Sequence, residues 1–214
     1  MLMACKYTLN NKLLILFNLI GLSCLSGCGA LYGTLIDPFV PARTIPAELN
    51  LENQTVLIWV DNVASQATPH LRRELTEQLR QQLLAQKAVG SVIEYPLLAR
   101  FRHRHPDANS MTIQQLGRKF FADRVLYILI NQFHLRHEAG EGYYRTSITG
   151  YAKVIDVSDG QLLWPADMIH RPFNYSGILA TGSGENFEIK QIRELCRQTS
   201  SKIAPCFYDH KEKK

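Results

Sequence analysis

The run Thr55-Val56-Leu57-Ile58-Trp59-Val60 is apolar or β-branched throughout and bounded by polar residues, which predicts a strand covered on both faces. Leu71, Leu75, Leu79 and Leu83 then recur at helical spacing. Thr68 is the expected N-cap, Pro69 the first helical residue and Gly90 the stop. Residues 91–95 read as a brief strand ended by Pro96, and 112–121 as a second helix. Residues 125–130 are again apolar, but beyond Asn131 only Phe133 and Leu135 keep to one side, so this strand runs from the core into solvent. After a turn at Gly140-Glu141-Gly142, Tyr144, Ile148, Ala152 and Val154 share one face of a long strand. Arg145, Ser147, Thr149, Tyr151 and Lys153 share the other. Asp159-Gly160 marks a tight hairpin into Gln161-Leu162-Leu163-Trp164, giving three successive antiparallel strands. Residues 165–182 look irregular, and 185–204 form a closing helix with the stripe Ile189, Ile192, Cys196 and Ile203.

The first residues follow a different pattern. Lys6 and Lys12 precede an apolar stretch over 13–25 that is short for a bilayer crossing, which takes about 20 residues. Small residues and a cysteine follow in Leu25-Ser26-Gly27-Cys28, the order of a bacterial lipobox. Cys24 is a poorer site, because Gly21-Leu22-Ser23 before it lacks the aliphatic residue three places upstream. The expectation is a cleaved signal over 1–27, lipid on Cys28, a tether over 28–53 rich in proline, and a domain over 54–214. Since one acyl chain anchors weakly, a diacylglyceryl group and an N-acyl chain such as palmitate together would hold the protein to the membrane. Gly29, where sorting to the inner membrane would favour Asp, points to the outer membrane, facing the periplasm. The predicted fold class is α+β, a single mixed, largely antiparallel sheet of about five strands packed with about three helices.

Charge excludes more than it assigns. The formal net charge of +5 becomes about +3 once the signal and its two lysines are removed, and no basic stripe is visible, which disfavours nucleic acid as a partner. Only Cys196 and Cys206 remain in the domain, so there is no disulfide framework; a bridge between them requires the chain to fold back after Pro205. The densest positive segment holds Arg100, Arg102, His103, Arg104 and His105, expected as a solvated loop able to meet an anionic polymer or lipid headgroup. His134 and His137 lie three apart in a strand and face opposite ways, so no metal site is expected. Gly182-Ser183-Gly184 is a weak anion-loop signal without a preceding strand. Asp37, Asp61, Asp123 and Asp156 fall near turns or strand ends, where carboxylates usually hold backbone N–H groups. No catalytic residue and no cofactor is nominated.

Two segments carry a resemblance. Gly117-Arg118-Lys119-Phe120-Phe121-Ala122-Asp123-Arg124-Val125-Leu126 is similar to a signature of helix, Ala-Asp and apolar strand. Val154-Ile155-Asp156-Val157-Ser158-Asp159-Gly160-Gln161-Leu162-Leu163-Trp164 is similar to a closing hairpin of the form Asp-x-x-x-Gly-x-x-x-Trp. Behind a lipobox, they make the region 55–204 resemble the envelope lipoproteins that share the fold of the TolB N-terminal domain, LpoB and CsgG. The resemblance implies a non-enzymatic, membrane-anchored module that binds an envelope protein; pore formation is not implied, since no pair of long alternating segments lies between the helices. The expected partner surface is Arg145, Thr149, Tyr151 and Lys153. The alternative is a carrier or enzyme for lipid or peptidoglycan fragments that uses the basic segment at 100–105.

Overall fold

Strand β1 (Leu51–Asn62) carries the apolar run and leads through residues 63–68 to helix α1 (Pro69–Ala85). The computed structural model describes residues 43–62, 69–138, 143–179 and 185–212. Cys28, Gly29, Asp37 and most of the tether, Thr68, the turn at 140–142 and the Gly182-Ser183-Gly184 segment therefore lie outside the described residues. After α1 come β2 (Val89–Val92), α2 (Tyr95–Arg104), a 3-10 turn (Pro106–Ser110), α3 (Ile113–Lys119), β3 (Arg124–Glu138), β4 (Tyr143–Asp156), β5 (Leu162–Trp164), β6 (Arg171–Leu179) and α4 (Glu185–Ile203). Thr44–His210 forms one compact unit.

The sheet order is β2-β1-β3-β4-β5, with β6 also paired to β4 beyond β5. β2 and β3 flank β1 in parallel, while β4 runs antiparallel to β3, β5 and β6. The class is α+β as expected, but the described residues hold six strands in this sheet and four helices rather than about five and three. The β1-α1-β2 connection accounts for the parallel half, because parallel neighbours need a crossover and a helix supplies it.

Four expectations are corrected. Pro96 does not end a strand; it lies in the first turn of α2, where its missing N–H breaks no helical bond. The basic residues Arg100, Arg102, His103 and Arg104 are therefore helical rather than in a solvated loop, and His105 follows as the cap, its N–H donating to the Phe101 carbonyl. Gly90 stops no helix but sits in β2, where an added Cβ would lie 2.8 Å from the Asn53 backbone at a bulge of β1. The stretch 165–182, read as irregular, contains the nine-residue β6. Ahead of the apolar run, Leu51 is fully buried, and the Glu48 carboxylate accepts from Trp164 Nε1 (2.8 Å) and Arg171 (3.1 Å).

Helices α1 and α4 cover one sheet face. Val56, Ile58, Val60, Leu126, Ile128, Ile148, Ala152 and Val154 pack there against the leucine stripe of α1 and against Ile192, Leu195, Cys196 and Ile203. Cys196 and Cys206 are free, buried thiols rather than a bridge. Trp164 plugs the end of this core, 1% exposed, edge-on to Phe207 with ring centroids 5.1 Å apart. The opposite face has a smaller core in which Leu57, Trp59, Val125 and Val157 meet Leu98, Ala108 and Leu116 from α2, the 3-10 turn and α3.

Turn chemistry holds the strand ends in register. Asp123 exchanges two bonds with Thr55, its amide donating to the Thr55 carbonyl (2.8 Å) and its carboxylate accepting from the Thr55 amide (2.7 Å). Asp156 accepts from both the amide and hydroxyl of Ser158, each at 2.7 Å, and pairs with Arg124 at 2.9 Å. Gly160 turns the hairpin at φ +80°, a conformation glycine adopts without steric cost.

Candidate functional site

Among the described residues, the face opposite α1 and α4 is only half roofed. Pairing aligns its residues in rungs: Trp59, Tyr127 and Lys153, then Asp61, Leu129, Tyr151 and Pro172, then Gln132, Thr149 and Asn174, then His134, Ser147 and Ser176. The Trp59–Tyr127 end belongs to the core under α2 and α3. The later rungs take no part in that core, and there Gln132, His134, Pro172, Asn174 and Ser176 are exposed while Leu129, Ser147, Thr149 and Tyr151 are half-buried.

The register puts Arg145, Thr149, Tyr151 and Lys153 on this one face, as the alternation of β4 requires. Arg145 is exposed and the other three are half-buried. Tyr151 stacks on His170 at 4.1 Å with the rings tilted by 32°, and Lys153 Nζ lies 5.6 Å from the Tyr127 ring centre. Just before His170 in the chain, the loop leading to β6 exposes Met168 and Ile169, the latter 76% accessible. The result is a strip in which one aromatic ring is pre-positioned by a neighbour, with apolar and basic groups at its margin.

Arg102 marks the boundary between roofed and open halves. Its guanidinium lies 3.8 Å above the Trp59 ring, donates to the Val60 carbonyl at 2.7 Å and stands 4.0 Å from Asp61. Burial lowers its pKa from the usual arginine value, nearby Arg72 lowers it further and Asp61 opposes them. Burial also pushes the Tyr127 phenol well above the ordinary range, with Asp61 adding to the effect, so it stays protonated and donates to Asp61 at a long 3.4 Å. Arg102 is thus bound into the protein by stacking and hydrogen bonding. Arg100, His103, Arg104 and His105 remain exposed, His105 against the Phe101 ring at 4.5 Å.

A cleft of about 290 Å³ opens on the other face, between β5 and β6, floored by Ala152, Trp164 and Phe173 and bordered by Arg171, Lys202 and Cys206. Its cations are engaged, Arg171 with Glu48 and Lys202 with the Asn174 carbonyl at 2.9 Å. Burial pushes the Cys206 thiol up to about 11, with Glu48 adding to this. Among the described residues no three His, Cys, Asp or Glu side chains come together as metal ligands, and no helix is long and apolar enough to cross a membrane.

Sequence reasoning missed His170 and Pro172 as neighbours of Tyr151, because it missed β6. The signal was present: Phe173 and Tyr175 alternate with Asn174 and Ser176.

Among solved structures, the fold is similar to the PelC dodecamer from Paraburkholderia phytofirmans, with 15% identity, 78% of this chain and 97% of that chain covered and a TM-score of 0.45. It is similar to lipoprotein GNA1162 from Neisseria meningitidis, at 14% identity, 71% and 98% coverage and a TM-score of 0.45. It is also similar to the hypothetical protein CT253 from Chlamydia trachomatis, at 15% identity, 71% and 93% coverage and a TM-score of 0.44. Likenesses at this level bring no residue role to this chain. No family model and no curated protein matches it.

Proposed function

We propose that this protein is a lipid-anchored module of the bacterial cell envelope that binds a protein partner through the open half of its sheet. The observation that carries the reading is the strip around Tyr151, where a tyrosine stacked on His170 is paired with exposed Pro172 on a face that α2 and α3 leave uncovered, just after a loop that exposes Met168 and Ile169. Rigid aromatic anchors with apolar surroundings supply most of the energy of protein interfaces. The lipid anchor is read from Leu25-Ser26-Gly27-Cys28, and an outer-membrane position facing the periplasm from Gly29.

Binding needs no chemistry from this face, and the role is non-enzymatic. The rival reading, a carrier or enzyme built on the basic segment, loses its central cation, since Arg102 is stacked on Trp59. Tyr151→Ala is expected to weaken partner capture from native envelopes by tenfold or more with the thermal midpoint within about 2 °C of wild type. Capture at wild-type strength by the folded variant would place the contact elsewhere. Cys28→Ser should abolish fatty-acid labelling and release the protein from membranes; unchanged labelling would refute the anchor.

A further inference from the structure

Helix α3 ends in a Schellman cap: the Ala122 amide donates to the Gly117 carbonyl at 3.0 Å and the Phe121 amide to Arg118 at 3.2 Å. Phe121 occupies the left-handed position of that cap, at φ +52°. Glycine is the residue favoured there, and a bulky side chain is strained. Its ring gains nothing from packing in return, being 91% exposed, the most exposed large apolar side chain among the described residues. Phe120, one position earlier, points into the core and meets Trp59 and Phe101. A strained aromatic with no packing partner among the described residues is the kind of backbone outlier that calls for a functional explanation.

The surroundings select the kind of partner. Arg118, Lys119 and Asp123 beside Phe121 are exposed and polar, and Asp123 is held by the Thr55 amide. A protein hot spot sits within a desolvated apolar patch, which is absent here. A lone aromatic beside basic side chains suits the interfacial zone of a bilayer, where the ring enters the acyl boundary and the cation stays at the headgroups. Arg43 lies 15 residues after Cys28, at most about 50 Å of extended chain, so a lipid on Cys28 keeps the bilayer within reach at high effective concentration. We propose that Phe121, with Lys119 and Arg118, is a second, reversible contact with the phospholipid surface that orients the tethered domain. This rests on the lipid anchor at Cys28.

The test uses the full lipidated chain in vesicles of phosphatidylcholine and phosphatidylglycerol, carrying Phe121→Trp. Native Trp59 and Trp164 are 0% and 1% exposed and serve as an unquenched internal background. The added emission should shift to the blue and fall at least twofold when the acyl chains are brominated, and Lys119→Glu should reduce that quenching. Phe121→Gly should raise the thermal midpoint, because glycine relieves the cap. Vesicle flotation with water-like, unquenched emission from position 121 would overturn the second contact while leaving the anchor intact. Failure to float would overturn the anchor, and this proposal with it.

Discussion

Asp156 shows how one side chain ties pH to the fold. Its carboxylate accepts two bonds from Ser158 and pairs with Arg124, and these, the Ser158 hydroxyl first, hold its pKa below the usual value of about 3.9. A carboxyl depressed on folding contributes stability that is whole above the unfolded pKa and is lost as pH falls through the folded one. Urea unfolding at pH 7 and then stepwise below pH 4 should show wild type losing stability toward acid. Asp156→Asn should start lower and fall less steeply; parallel curves would refute the assignment. Arg102 gives a second test at this scale. Lysine cannot both stack flat on Trp59 and reach the Val60 carbonyl, so Arg102→Lys should cost about 1–3 kcal/mol in urea unfolding despite the retained charge.

At the scale of elements, what the sequence made legible follows one rule. Segments buried by their own periodicity were readable: the all-apolar β1 and the start of β3, the leucine stripe of α1 and the alternation of β4. Segments defined by an edge or by a proline were not. In α2 the proline at the start and the basic residues Arg102, His103 and Arg104 in the last turn are both helix signals, yet each also suits a loop. In β6, Pro172 masked the alternation around it, because proline argues against a central strand but is tolerated at an edge, where its missing N–H breaks no ladder. Trp164 was legible as the residue that ends the hairpin motif; its bond to Glu48 was not, since 116 residues separate them. Trp164→Ala should cost about 3–5 kcal/mol, the usual range for emptying such a site, and calorimetry reading a midpoint near wild type would refute its role.

In the whole molecule the two faces of one sheet have different fates. Helices α1 and α4 bury one completely enough to make the principal core, while α2 and α3 cover only the β1–β3 end of the other. That Arg145, Thr149, Tyr151 and Lys153 share one face was legible because alternation alone fixes which β4 side chains lie together. Their neighbours were not, because β6 and the His170 stack come from distant sequence. In the function proposed above, lipid attachment at Cys28, the open strip and the exposed Phe121 belong to one module held at a membrane with its binding face free. Photo-crosslinking residues placed at 149, 151 and 172, and at the exposed outer α4 positions 190 and 197, test this most directly in intact envelopes. Adducts to one discrete protein from the sheet positions, and none from α4, are what this account predicts. Adducts from α4 with none from 149, 151 and 172 would contradict it.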